Sequence, residues 1–506
     1  GTDENPFPAE GMTGGEIEIT SANRNFAVAN AGGTPACVTG TVEITGGSIT
    51  VTNAGGNFLI GYASDSLGRC VVGGDAFIHA RSFKLGSTSF AFGECLITGG
   101  VVRSLDTVAI GDATAGQGRM RLTGGALTNL TSAYIGNNGG SLGELAIEGG
   151  SWWTSNSLAV GHNANATGSV VMTGGSLYAI YHNIGNNAGS IGDFVLSNAT
   201  LTAGLDLNAG VNGTGTLLIA NGIVQVGQVF SVGKNVRASG KVTMIRGTLK
   251  GTNNMRIGDW GGVGSLDLQD GSVMAGAGGN SSIGNGNGST GRVTVAGGAL
   301  VCNLSLYLGN NGVNTLGRLD IVGGEVVVSN QLILGNNAYS YGEAEITGGS
   351  LWIGDDIRMG VQSNTSARLT VSGGSVTVRD YLDLGSYGTG LLHVAGGELT
   401  THVLRTTPWG VTNAPTPEIR ISGGRLAVTN IFYFADAFDS KALLRLEGGT
   451  FSVPRLWRNR GYTTVLCDGG ALEARRNEPN FIDTNIQELW LTEKGLCVDS
   501  AGFVIG

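Results

Sequence analysis

The stretch GELAIEGGSWWTSNSLAVG, residues 143–161, carries the pattern that decides the fold. Leu145 and Ile147 alternate with Glu144, Ala146 and Glu148. A Gly149-Gly150 pair follows, then Trp152 and Thr154, then Leu158 and Val160 before Gly161. These are three short runs of period two, separated by Gly or Asn. Strict alternation sends one face inward and the other to solvent, which is the habit of a strand. Each run is too short for a helix or for a propeller-blade strand.

The same phrase repeats. Gly-Gly pairs start at Gly99, Gly124, Gly149 and Gly174 in steps of 25, and again at Gly297, Gly323, Gly348, Gly373, Gly396, Gly423, Gly448 and Gly469. Between them the phase is kept by weaker pairs: Asn198-Ala199, Asn221-Gly222, Arg246-Gly247 and Asp270-Gly271. Earlier pairs stand at Gly14, Gly46 and Gly73. A period near 25 over about 19 units is too short for four-stranded propeller blades, and the helix of a leucine-rich repeat is missing. Three short strands per turn predict an all-β fold, a single-stranded parallel β-helix (β-solenoid). At about 4.8 Å per turn it would be roughly 90 Å long, and the crossover rule favours a right-handed coil.

The corners agree. Asn recurs after the third run, at Asn137-Asn138, Asn163, Asn186-Asn187, Asn235, Asn310-Asn311 and Asn336-Asn337. Asn and Gly tolerate the positive φ of tight corners. Stacked Asn side chains also form amide ladders, here expected at Asn138, Asn163, Asn187, Asn311 and Asn337. Pairs such as Phe58/Ile60, Phe83/Leu85, Val108/Ile110, Leu306/Leu308 and Leu382/Leu384 supply the inward stripes.

Composition narrows the function classes. Gly accounts for 90 of 506 residues, charged residues for 13 % and the apolar set for 41 %, with only 8 Pro. Collagen is excluded by the lack of a three-residue glycine period, and disorder by the recurring aliphatics. No apolar run approaches the ~20 residues of a membrane helix. A net charge of −9 disfavours nucleic acid, whose affinity rests on phosphate neutralisation. Six cysteines do not make a disulfide scaffold. Low Lys, abundant Thr, Ser, Asn and Gly, and a start at Gly1 lead us to expect a processed, exported chain.

The motif G-x-L-x-I-x-G-G…L-x-I-G-N-N resembles the short β-strand repeats of bacterial autotransporter passengers and PEP-CTERM-associated surface proteins. The resemblance covers about residues 40–470. It implies a β-solenoid and an extracellular or cell-surface location in a bacterium. It brings no catalytic motif and no cofactor.

Outside the regular array, residues 1–39 read as an N-terminal arm or cap with an irregular first turn, residues 40–470 as the repeat array, and residues 471–506 as a C-terminal cap or assembly segment. The ends differ in charge. Asp3, Glu4, Glu10, Glu16 and Glu18 lie at one, and Arg455, Arg458, Arg460, Arg475 and Arg476 cluster near the other. Opposite charges at two ends favour head-to-tail contacts, which propagate as open fibres; solvated caps are the plainer alternative.

Four further features are candidates. Cys70 and Cys95, 25 apart in GRCVV and GECLI, should stack at inward positions, either as a disulfide or as two buried thiols. The five histidines, His79, His162, His182, His393 and His402, fall at unrelated phases and read as surface or turn residues. Aligning Gly360 with Gly385 stacks Asp355 on Asp380 and Arg358 on Asp383, a charge ladder first and a cation site second. Trp153, Tyr178 and Trp352 share one outward position and form a candidate aromatic patch for sugar rings or a neighbouring subunit. Gly-rich phosphate loops are set aside, because no helix follows them.

No nucleophile–base pair, metal set or converging carboxylates emerge, so no enzyme is expected. The expected role is an extracellular structural protein whose partner is itself, in a filament, sheath or surface layer. The alternatives are a surface-displayed stalk or adhesin that binds glycans and, further off, a polysaccharide-active β-helix enzyme.

Overall fold

A computed structural model describes residues 12–20, 24–30, 38–276, 278–407 and 415–506. Asp3, Glu4, Glu10 and Cys37 lie outside the described residues. The described residues form short strands and no helix, and the coil makes about 18 turns, close to the 19 units read from the sequence. The chain divides into two compact units, residues 1–251 and 252–506.

One turn of the first unit runs through strands Leu142–Ile147, Ser151–Thr154 and Ser157–Val160. Each pairs in parallel with its counterpart one turn on, so that Leu145 faces Val170, Trp152 faces Leu177 and Leu158 faces His182. Burial alternates along the first two strands, so that Trp152 is 1 % exposed and the adjacent Trp153 42 %, while the third is buried at Leu158, Ala159 and Val160 alike.

The Gly pair sets the first corner. At Gly150 the backbone is left-handed (φ +72°), and a Cβ there would lie 2.6 Å from the Gly125 carbonyl oxygen of the turn below. Only glycine allows this corner to repeat at the spacing of the strand ladder. At Asn198-Ala199 and Asn221-Gly222 the corner opens, whereas Arg246-Gly247 and Asp270-Gly271 keep it. Ile191–Ala203 and Thr214–Val226 become continuous 13-residue strands, with a register shift at Ser197.

Inward columns form the core of the first unit. One begins with Phe26, Phe58 and Phe83, whose rings stack at 4.7 and 5.1 Å. It continues in register through Val108, Ala133, Leu158, His182, Leu207 and Phe230. Each fully buried large aliphatic or aromatic side chain contributes about 1.5–3 kcal/mol. His182 corrects the expectation of surface histidines: it is 1 % exposed. Its position has the inward phase of Leu158 and Leu207, and a short turn of 24 residues hides that phase from simple counting. Burial holds its pKa down at about 4. Nε2 bonds the Thr202 carbonyl at 3.0 Å, and Nδ1 has no partner.

The second unit repeats the plan with Leu306, Leu332, Ile357, Leu382, Leu404 and Phe432 in one column. Phe432 stacks on Phe434 at 5.1 Å and meets the edge of Phe451 at 5.3 Å. Outward faces carry cross-turn ion pairs, among them Arg119–Glu144 at 2.7 Å in the first unit and Arg318 with Glu343 and Glu345 at 3.1 and 2.7 Å in the second. Exposed pairs of this kind contribute under about 1 kcal/mol each.

Candidate functional site

The acidic cluster of the second unit forms at a corner. Asp355, Asp356 and Asp380 place carboxylate oxygens within 4.8 Å of one another. The sequence pointed to Asp355, Asp380 and Asp383; Asp356 takes the third place, and Asp383 sits apart. Arg358 and Asp383 are register partners as expected. Their expected pairing is corrected: Arg358 bonds Asp356 at 2.9 Å, and Asp383 takes a bidentate Arg405 at 2.6 and 2.7 Å. The reason is burial. Asp383 is 1 % exposed, and Arg405, stacked over the Tyr381 ring at 4.2 Å, reaches it from the other side. Burial pushes the Asp383 carboxyl above its ordinary value against the pull of Arg405. The Gln331 amide donates to both Asp355 and Asp356 at 3.1 Å. The cluster is thus bound up by Arg358 and Gln331 from its own chain. Arg405 was missed because its turn is 22 residues long, which shifts it out of a count of 25.

Cys70 and Cys95 face each other across neighbouring turns. The disulfide alternative is corrected: both are free, buried thiols. In-register parallel stacking sets the two side chains alongside one another, and the sulfurs meet through a thiol hydrogen bond. That contact, with burial, raises the Cys95 pKa well above the usual thiol range.

Trp153 and Tyr178 come together as expected, with centroids 6.0 Å apart and planes 5° from parallel. Each ring turns part of one face to the other, so a sugar could stack only on the faces toward Thr128 and Thr202. Trp352 occupies the equivalent position in the second unit, between Val327 and Thr377.

The amide ladder is present in both units. In the first, Asn163 donates to Asn138 and Asn187 donates to Asn163, each at 3.2 Å. The ladder starts on Asp112, whose backbone carbonyl accepts from Asn138 and whose carboxylate accepts from Asn137 at 2.8 Å and pairs with Lys84 at 3.0 Å. In the second unit the expected route through Asn311 and Asn337 is corrected. The ladder runs from Asp259 through Asn285 (2.6 Å), Asn310 (3.3 Å) and Asn336 (2.8 Å). Asn311 also donates to Asn285 on the turn below, at 3.0 Å, but Asn337 accepts its backbone N–H rather than donating an amide to it. In the second unit the first of two adjacent Asn carries the column, whereas in the first unit the second does, at Asn138 and Asn187.

The charged ends are placed as follows. Glu16 and Glu18 are exposed on the strand Glu16–Glu18. Arg455 lies 3.8 Å from Asp483 and over the Trp457 ring. Arg458 donates to the Arg460 carbonyl at 2.8 Å, and Arg460 lies over Phe438 at 5.2 Å. Arg475 reaches Ser452 at 3.3 Å, and Arg476 is 3.7 Å from Glu478.

Past them, strands Glu488–Leu491 and Cys497–Asp499 continue the coil. Leu489 stands on Val465, Leu491 on Cys467 and Val498 on Leu472, so all three are inward residues. Their supports are buried, yet they are themselves 43 %, 61 % and 45 % exposed. Among the described residues, each of these strands pairs on one edge only. The sequence analysis missed this surface; the alternation in QELWLTE was its signal.

Comparison with protein-family models, curated proteins and solved structures finds no match to the chain. Among the described residues, no helix is long and apolar enough to cross a membrane.

Proposed function

We propose that the protein is an extracellular structural element that self-associates through its ends into a filament, sheath or surface layer. One observation carries this reading: among the described residues, no strand covers the inward Leu489, Leu491 and Val498, and their two strands each pair on one edge only. Such an edge templates further pairing unless it is blocked, and solenoids otherwise cap it with polar residues. A second copy offering its own first strands satisfies the edge, and that heterologous contact propagates. The repeat's resemblance to bacterial surface proteins and the low lysine content support export. The quiet walls, dressed in paired charges, suit a scaffold.

Light scattering and negative-stain microscopy of the purified chain test it. Fibres are expected from the wild type, and single particles from Leu491→Lys with Val498→Lys, with thermal stability retained because both side chains are exposed. Single particles from the wild type at every concentration would instead favour a monomeric surface stalk or adhesin. The Trp153–Tyr178 pair is the observation on the side of that second reading.

A further inference from the structure

We infer that a cationic cleft on the outer face of the second unit binds an acidic saccharide. The cleft has a volume of about 850 Å³ and crosses the strands Lys441–Leu446 and Tyr462–Cys467. Three cations line it: Lys441, Arg458 and Arg460.

Their lack of acidic partners is the first argument. In the surrounding turns Arg420, Arg425, Arg445, Arg455 and Lys494 each lie in an ion pair. Among the described residues, Lys441, Arg458 and Arg460 have no such pair, although the chain carries an excess of acid. Arg458 Nε is also shielded from solvent and has no hydrogen-bond partner. A buried charged donor left unmade is costly, and an arriving oxyanion would repay it. The acids at hand do not. Among the described lining residues Asp439 is the one acid, against three cations; Glu488, held by the Tyr462 hydroxyl at 2.6 Å and the Thr464 hydroxyl at 3.0 Å, keeps its charge beside the cleft.

The rest of the lining selects the class of ligand. Tyr462 and Thr464 line the cleft, and because their hydroxyls donate to Glu488 they offer only oxygen lone pairs, as acceptors, to sugar hydroxyls. Outward Leu443 and Leu466 give the floor an apolar strip that suits the C–H face of a pyranose. Cations for a carboxylate or sulfate, acceptors for hydroxyls and a flat apolar floor together describe an acidic sugar rather than a bare ion.

Calorimetry on the full chain at low ionic strength tests the inference, with a galacturonate trisaccharide, the neutral galactose trisaccharide and inorganic sulfate as probes. The galacturonate should bind, and the neutral sugar should not. Lys441→Gln with Arg460→Gln should weaken binding by about tenfold or more. Both changes are on the surface, and an unchanged circular dichroism melt shows that the fold is intact. Equal binding of the neutral sugar, equal binding by the double variant, or full competition by equimolar sulfate would each overturn it. The readout is independent of fibre formation, so it stands or falls apart from the proposed assembly.

Discussion

Gly140 and Gly150 make a matched pair for testing why the coil repeats as it does. Both are in the first unit, and both have a left-handed backbone, φ +71° and +72°. They differ in what a side chain would meet. A Cβ on Gly140 would find only Ala115 N, at 3.9 Å. A Cβ on Gly150 would find three backbone atoms of the turn below: Gly125 O at 2.6 Å, Gly124 C at 2.9 Å and Gly124 O at 3.0 Å. Alanine at either site incurs about 1–2 kcal/mol of left-handed strain. The stiffer unfolded chain returns about 0.4–1 kcal/mol of that. Gly140→Ala should therefore lose about 1 kcal/mol. Gly150→Ala must also push two turns apart by several tenths of an ångström. That stretches the rung bonds across the same gap, Ser151 N–H to Gly125 O at 3.1 Å and Gly149 N–H to Leu122 O at 3.3 Å. At about 1 kcal/mol per bond, its total loss should be about 3 kcal/mol or more. Urea unfolding followed by tryptophan fluorescence is the assay, because buried Trp152 lies two residues from Gly150 and reports its own neighbourhood. Equal losses for the two variants would refute the argument that stacking, rather than backbone conformation alone, demands the glycine pair.

Two other predictions concern buried polar groups. The unfolded His182 imidazole takes up a proton below about pH 6.5, while the folded one stays neutral down to about pH 4. The unfolded state thus binds more protons in that window, and stability should fall by about 3 kcal/mol as pH drops through it. His182→Leu, matching Leu158 and Leu207 in its column, should flatten this slope and raise the urea midpoint most at pH 4.5; parallel wild-type and variant pH curves would contradict the assignment. Asp259→Asn should lose about 1–3 kcal/mol, because the new amide hydrogens have no acceptor in a fully buried site next to Arg256. Asp112→Asn, at the more open start of the other ladder, should lose less, and the reverse order in denaturation would count against the ladder argument.

The backbone plan was legible in the sequence, but the side-chain partners were only partly so. Alternation told Trp152 from Trp153, and the period brought Cys70 onto Cys95 and Trp153 onto Tyr178, because strand pairing fixes those neighbours. What failed depended on local turn length or on which of two adjacent residues projects. Asp383 finds Arg405 through a turn of 22 residues. His182 falls inward through a turn of 24. At Asn310-Asn311 and Asn336-Asn337 the residues are identical, so the sequence cannot distinguish the member under the corner from its neighbour. The open edge at Leu489 and Leu491 was missed for another reason: alternation marks these residues as inward, and only the structure shows that no described residue stacks above them.

The amide ladders give a physical reading of acids that otherwise look like candidate sites. In a column of stacked Asn, each amide donates to the turn below and accepts from the turn above. The lowest member accepts from above but has nothing below to donate to. An amide there strands two hydrogens, whereas a carboxylate only accepts. The second-unit ladder begins in this way at Asp259, and in the first unit Asp112 holds the same place under Asn137 and His162, in the column beside the Asn138–Asn163–Asn187 ladder. Each carboxylate brings a charge into a protected corner, and each has a cation to balance it, Lys84 at 3.0 Å and Arg256 at 3.3 Å. Charge at these corners follows from where a column starts and needs no substrate to explain it. The cleft cations Lys441, Arg458 and Arg460 fail that same accounting, since no column ends on them and, among the described residues, no acid forms an ion pair with them. Three such cations gathered in one cleft, rather than the acidic cluster, are the place to look for a ligand.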